Sequence, residues 1–433
     1  MNIHSHLIVN KKPKVFFGWW TVLALGIVSL LGAGFAFQSF SIFFKPLSEE
    51  LGFSRAVTST GITVQTVVTS ACALMGGWAS DKYGPRRVIL IGVITLALGC
   101  ILMSWINSLW SYLLVTGLLI GGGSALGVTI MTDRAIVNWF VRKAGIAINL
   151  KFAIMSLSGL LVLPFVAWLV KNYDWRITYL ISGIIIAVVC IPLVWFFVKP
   201  HRPEYYGLLP DGAISPSSLI TDKSHSTTTG FDSKELTLKQ ALKTTTFWLF
   251  ILLGYTTGMI MPMMGAHSVP FLTDRKIDPV QAASIVGLMS TVSIPARLLT
   301  GYYVDRLKTE YLRFIMASGT FIQAIGVLCF VLNPSLFTIY VWFILYGVGG
   351  GISQSVNLPL LARYFGRKAF GSITGLFQPL QLPVGLVAPV FIGWIFDSTG
   401  SYTTIIYLMV VLLPVAGFIS CLIKPPKLGV SID

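Results

Sequence analysis

The sequence predicts an all-α membrane protein of twelve transmembrane helices, built as two parallel six-helix repeats. Three observations carry this. The 433 residues are 55% hydrophobic and only 11% charged, with mean hydropathy +0.80; soluble domains carry about 25% charged residues. Apolar windows long enough to cross a bilayer recur twelve times, at ~1.5 Å per helical residue against roughly 30 Å of hydrocarbon. Three patterns in the first half return in the second. Gly77-x-x-x-Asp81-Lys82 matches Gly301-x-x-x-Asp305-Arg306, Trp139-Phe140-x-Arg142-Lys143-Ala144 matches Tyr364-Phe365-x-Arg367-Lys368-Ala369, and Gly121-Gly122-Gly123 matches Gly349-Gly350-Gly351. Three matches at nearly one offset argue for a duplicated unit. A soluble enzyme is excluded.

The windows fall near residues 15–44, 57–79, 88–106, 109–135, 144–170, 176–198, 246–271, 281–303, 312–332, 335–361, 370–396 and 402–423. The first follows Lys11, Lys12 and Lys14. It is too long for the apolar core of a signal peptide and shows no small-residue cleavage site, so an uncleaved span with a cytoplasmic N-terminus is expected. The glycine triplets in spans four and ten permit close helix approach and need no ligand. Residues 199–243 are rich in Ser, Thr, Pro and charge and read as a mobile linker, in which Lys234–Leu242 could form a short surface helix. The expected units are therefore an N-terminal half (1–198), a cytoplasmic linker (199–243) and a C-terminal half (244–433).

Charge sets the expected orientation. With the N-terminus inside, the outer segments hold only Lys45, Arg55, Lys171, Arg176, Arg275 and Lys276. Arg134, Lys151 and Arg297 lie within spans, and the other 22 of the 31 Lys and Arg lie inside. This bias places both termini in the cytoplasm of a multi-pass plasma (cytoplasmic) membrane protein. It also explains the net charge of +15 without nucleic acid, since the basic residues are scattered between spans. Six spans per half is an even number, so the halves are parallel repeats about an axis along the membrane normal, with a binding site expected near midplane between them. Cys72, Cys100, Cys190, Cys329 and Cys421 all sit in apolar spans. Free thiols are expected, with no metal site.

Few residues carry chemistry. Arg297 interrupts the apolar run from Ala282 to Asp305. Its guanidinium stays charged, and a charge in lipid needs a polar cavity or a partner. It lines a path for an anionic solute, snorkels to the inner surface or pairs with a structural acid. Asp133 lies ~9 Å and Lys151 ~12 Å from the inner surface by helical rise. The two could form a proton-linked pair or a static ion pair joining spans four and five. His267, near the outer end of span seven, could contact substrate, relay a proton or bond to backbone. Gln38, Asn149, Asn357, Gln378 and Gln381 could line a cavity or bond between helices.

The loop Gly76-Gly77-Trp78-Ala79-Ser80-Asp81-Lys82-Tyr83-Gly84-Pro85-Arg86-Arg87 resembles the cytoplasmic signature of the major facilitator superfamily. With twelve spans and the repeat, that resemblance covers essentially the whole chain. It implies the major facilitator fold, and an inner gate in which Asp81, Arg86 and Arg87, with Asp305 and Arg306 as a reduced copy, pair and separate. A narrower resemblance rests on Phe17-Gly18-Trp19-Trp20, Trp139-Phe140-Val141-Arg142-Lys143-Ala144-Gly145-Ile146-Ala147 and Arg297. Together they are similar to the monocarboxylate transporters and their bacterial relatives, including oxalate–formate exchangers. There the span-eight arginine binds the substrate carboxylate, a role the planar guanidinium fork suits.

The chain departs from that pattern in three places. Ser293 stands where proton-coupled members have an acid, Gln38 where the animal carriers have a lysine, and span eleven has Gln378 and Gln381 where oxalate exchangers have a lysine. The expected function is secondary active transport of a small organic anion, a monocarboxylate first, by alternating access. A dicarboxylate or anion exchanger and a non-transporting solute sensor are the alternatives. An ATPase is not expected, because the phosphate-binding loop pattern GxxxxGK[ST] is missing. No enzyme activity and no cofactor are expected. The partners are the bilayer and a small carboxylate, with a co-transported proton left open, and the chain is expected to be a monomer.

Overall fold

In the computed structural model, residues 16–140, 143–200, 203–206, 208–209, 211, 237–304, 306–365 and 370–426 are described. The described residues are helical and contain no strand. Twelve spans are long and apolar enough to cross a membrane: Phe17–Leu51, Arg55–Ser80, Pro85–Met103, Leu109–Val137, Gly145–Asn172, Trp175–Phe197, Thr245–Gly265, Pro279–Val304, Thr309–Leu332, Leu336–Phe365, Pro379–Thr399 and Thr403–Leu422. They are called spans one to twelve. Twelve is even, so both ends of the described chain lie on one face, here the terminal face; the other is the far face.

Local chemistry sets the boundaries. The side chains of Ser54, Ser108, Asp174 and Thr244 cap spans two, four, six and seven, satisfying N–H groups that the helix cannot. Pro85 opens span three after Gly84, whose φ of 82° suits glycine. Several spans are interrupted rather than straight. Span one carries a π-helical turn at Gly34–Gln38, span four breaks at Val128 and Thr129, and span five is split at Leu157. Span seven ends at Gly265, and a short helix, Ser268–Asp274, follows. His267 therefore sits in a helix break and not within a continuous span. Leu238–Leu242 is helical, as the sequence suggests, but it buries Ala241 against spans seven and eleven.

Spans one and five, three and four, and three and six pack together in the first half; eight with ten, nine with ten, and nine with twelve do so in the second. The aromatic core includes Phe43, Phe44, Tyr112, Phe140, Trp175, Trp342 and Phe343, all essentially buried. The two halves meet along spans five and eight and along spans two and eleven. Gly159 and Gly287 make the closest approach: a Cβ on Gly287 would lie 2.0 Å from the Gly159 carbonyl oxygen. All five cysteines are free.

The Phe17–Trp20 and Trp139–Ala147 stretches turn out to be neighbours. Trp139 packs on Phe16 and Phe17, Phe140 on Trp19, and a Cβ on Gly18 would lie 2.9 Å from the Phe140 ring. Tyr206 stacks on Trp139, and the Asp211 carboxylate accepts from the Lys143 backbone N–H at 3.0 Å. These residues fix spans one and five and the start of the linker on the terminal face.

Candidate substrate site

A cavity of about 550 Å³ lies in the terminal-face half of the bundle, between spans five, eight and ten. Span five contributes Asn149, Phe152, Ala153 and Ser156, and span ten contributes Gln354, Ser355, Leu358 and Pro359. Span eight contributes Ile294, Arg297 and Leu298 towards the centre and Gly301, Tyr302 and Val304 towards the mouth. One wall is thus from the first half and two are from the second.

Arg297 is half-buried, seven residues before the end of span eight, or ~10 Å. Its Nη2 donates to the Gln354 side-chain oxygen at 2.7 Å. Its Nε is buried without a hydrogen-bond partner among the described residues. A buried donor left unpaired is costly, and this one is on a side chain lining the cavity. The rest of the lining is mixed: Phe152, Ile294, Leu298 and Leu358 are apolar, and Asn149, Ser156, Gln354 and Ser355 offer neutral hydrogen bonds. The described lining contains no carboxylate.

The other sequence candidates fall elsewhere. Lys151 is fully buried, donating to Asp133 at 2.6 Å and to the Thr132 hydroxyl at 3.0 Å. This ties spans four and five outside the described cavity lining. Gln38 accepts from Ser158 at 3.0 Å. Gln381 packs on Gly254 of span seven, and Asn357 is exposed but outside the lining. Ser293 is buried and donates back to Ser290 at 2.6 Å. Arg86 stacks on Trp195 and Arg306 on Tyr302, while Arg87 is exposed. Asp305, Arg367 and Lys368 lie outside the described residues, as do the side chains of Asp81 and Gln378.

At the far face the halves are joined by charge. Asp274 accepts from Lys45 at 3.1 Å and pairs with Arg55 at 2.7 Å. Asp397 accepts the backbone N–H groups of Arg55 and Ala56, at 2.9 and 2.8 Å, at the start of span two, where a helix N-terminus favours an anion. Lys171 pairs with Asp278 at 2.5 Å. That hydrogen bond holds the exposed Asp278 carboxyl below its ordinary range. Its stabilising contribution is present at neutral pH and is lost as pH falls through the lowered value. Arg55 also stacks on Phe396 and bonds to the Tyr402 hydroxyl. His267, fully buried, lies 3.0 Å from Tyr402 and 3.3 Å from Ser59. In each inter-half ion pair among the described residues the base comes from the first half and the acid from the second.

Comparison with known proteins decides the family. The family model described as Major Facilitator Superfamily matches residues 26–385. The chain belongs to the Major Facilitator Superfamily. It is an integral, multi-pass membrane protein of a family of transporters, not of enzymes. Monocarboxylate transporter 13 of Rattus norvegicus is 26% identical over 398 residues, covering 91% of this chain and 86% of that protein. Monocarboxylate transporter 2 of Homo sapiens is 24% identical over 401 residues, covering 89% and 81%. The uncharacterised MFS-type transporter YcxA of Bacillus subtilis is 23% identical over 407 residues, covering 92% and 94%. The fold matches a bacterial homologue of the human lysosomal transporter Spinster, solved inward-facing and unoccupied, with TM-score 0.72 at 14% identity over 95% of this chain and 98% of that one. It also matches a D-xylose–proton symporter, with TM-score 0.69 at 14% identity over 94% and 97%.

The superfamily reading accounts for what the sequence motifs show on their own. Arg134 donates to the Gly77 carbonyl at 2.9 Å, clamping span four to the start of the loop signature. Two features of the site are not evident from motif reading. Gln354 is one of four polar residues between Ser353 and Asn357 in an otherwise apolar window, and that interruption was its only signal. The far-face pairs had no such signal, because Glu49, Glu50 and Asp174 stand among the bases of the first half and Arg275 and Lys276 beside Asp274 and Asp278 in the second.

Proposed function

We propose that this protein is a secondary active transporter of a small carboxylate, a monocarboxylate first, and that Arg297 binds the carboxylate. The observation that carries the reading is Arg297 itself, a half-buried guanidinium in a cavity between the halves, with an unpaired Nε and one neutral partner. Two parallel N–H donors suit a carboxylate, and Phe152 and Ile294 suit an apolar body. The named monocarboxylate transporters among its relatives support the same class.

Alternating access follows from placing the cytoplasm at the terminal face, as the basic-residue bias directs. The cavity is then on the cytoplasmic side and the far-face pairs close the outside, in a plasma-membrane protein. Rocking of the six-span halves would break those pairs and close the inner side. Asp81, Arg86, Arg87, Asp305 and Arg306 are the proposed inner gate. Uptake of radiolabelled formate, lactate, pyruvate and oxalate into proteoliposomes tests the reading. A sensor would bind one of these anions without moving it.

Asp133 and Lys151 are read as a structural tie, because Lys151 is fully buried and the pair lies outside the described cavity lining. Removing one partner of a buried pair costs roughly 3–5 kcal/mol, with the partial exposure of Asp133 favouring the lower end. Asp133→Asn is expected to lower the amount of folded protein. Adding Lys151→Met should restore both folding and carboxylate influx. If the double variant folds but no longer carries carboxylate, the pair takes part in transport instead.

A further inference from the structure

The charge balance of the cavity has a functional consequence. The only described partner of Arg297 within hydrogen-bonding reach is the Gln354 amide, and the described lining supplies no acid. The described acids outside the lining stand at span ends or are already paired. Among spans seven to twelve, Glu310 stands in the first turn of span nine and Asp397 in the last turn of span eleven. Asp305 and the side chain of Asp81 lie outside the described residues. Asp133, in the first half, is held by Lys151. Among the described residues, the empty site therefore carries an uncompensated positive charge.

Such a site is stable while the cavity is open to water. Reorientation removes that water. Every alternating-access cycle must close one side before the other opens, and during closure the guanidinium has only a neutral amide beside it. Burying a charge without a counter-charge is strongly unfavourable. A bound carboxylate supplies the missing charge and meets the free Nε, so the loaded site crosses neutral.

We infer that Gln354, by holding Arg297 through a neutral amide where a carboxylate would neutralise it, makes this carrier an anion exchanger. The site crosses between faces only when loaded, and one carboxylate leaves for each that enters. This rests on the carboxylate reading above. Gln354 is a positioning residue: it aligns the guanidinium through one N–H and leaves the remaining donors to the substrate. Its near-isostere, glutamate, would add a fixed counter-charge and allow the empty site to return.

The test uses the full chain in phosphatidylethanolamine–phosphatidylglycerol vesicles, with the membrane potential clamped at zero. Radiolabelled lactate, pyruvate, formate or oxalate is offered outside. The interior holds either the same anion unlabelled or sulfate. Influx into carboxylate-loaded vesicles should be at least about tenfold faster than into sulfate-loaded ones, the ratio of even a modest barrier difference. Equal influx into both overturns the exchange inference and leaves the carboxylate reading standing. No influx of any of the four anions into either overturns the carboxylate reading, and the inference with it.

Two substitutions separate charge from structure. Gln354→Glu should bring the ratio of loaded to unloaded influx close to one. Net influx should then depend on pH, because the new carboxyl must be protonated or displaced when substrate binds Arg297. Gln354→Met, similar in length but without charge, should weaken binding and keep the ratio high. A Gln354→Glu protein that inserts normally and keeps the wild-type ratio overturns the role of Gln354. So does a Gln354→Met protein whose ratio falls as far as that of Gln354→Glu.

Discussion

Arg297→Lys is expected to remove carboxylate influx almost completely while leaving the protein folded and inserted. Lysine keeps the positive charge, so a site that needed charge alone would survive. It does not keep the fork. The arginine donates through Nη2 to Gln354 and retains Nε, buried and without a described partner, on the same rigid plane. An ammonium is a point charge on a flexible stem and cannot meet Gln354 and both oxygens of a carboxylate in one geometry. Losing one charged hydrogen bond costs about 1.5–3 kcal/mol, or roughly 10- to 150-fold in affinity. Influx at low substrate should fall by about that factor. Detergent-extracted variant and wild type should give the same size-exclusion profile. An Arg297→Lys protein with wild-type influx would place the carboxylate site elsewhere.

The framework was legible because hydropathy and repetition are properties of whole segments. Twelve windows became twelve spans, and two of them differ where a helix changes character. The first span runs on through Lys45 to Leu51, because Lys45 at the far face pairs with Asp274 and Glu49 and does not end the helix. Span seven stops at Gly265, so His267 belongs to the far-face junction with Tyr402 and Ser59. Arg297 stood out because a charge in an apolar run needs a reason. Gln354 did not, because a glutamine in a span serves equally well as a helix–helix hydrogen bond. Only the meeting of spans eight and ten reveals which face it takes. The same limit applied to Gln38 and Gln381. They are as polar as Gln354, but one bonds to Ser158 and the other packs on Gly254. Polarity is readable along the chain, whereas the cavity is a relation between chains of contacts.

The second large effect is expected at Gly287, ~15 Å from Arg297 along span eight. Here span eight meets span five of the other half so closely that a Cβ on Gly287 would stand 2.0 Å from the Gly159 carbonyl oxygen and 2.7 Å from its carbon. Both are backbone atoms and cannot rotate away. On the Gly159 side, an added Cβ would meet Ser290 at 2.8 Å. Gly287→Leu must therefore push spans five and eight apart. The far-face pairs, Lys45 and Arg55 with Asp274 and Lys171 with Asp278, then lose registry. Overpacking of this kind costs typically 1–3 kcal/mol, comparable to the few kcal/mol that separate conformers of a two-state protein. The variant should rest with the far face open, and flux should fall by more than about tenfold. Substrate binding in detergent should persist, because Arg297 and Gln354 are untouched. In a background with the five native cysteines replaced, a cysteine at Ser59, buried against His267 in the closed state, should become reactive to an impermeant maleimide added from the far face. Gly265→Ala serves as the control, since nothing lies within 4 Å of a Cβ there. It should leave flux and labelling unchanged. If Gly287→Leu transports at the wild-type rate and Ser59→Cys stays unreactive, the contact between Gly159 and Gly287 is not part of a closure that opens during transport.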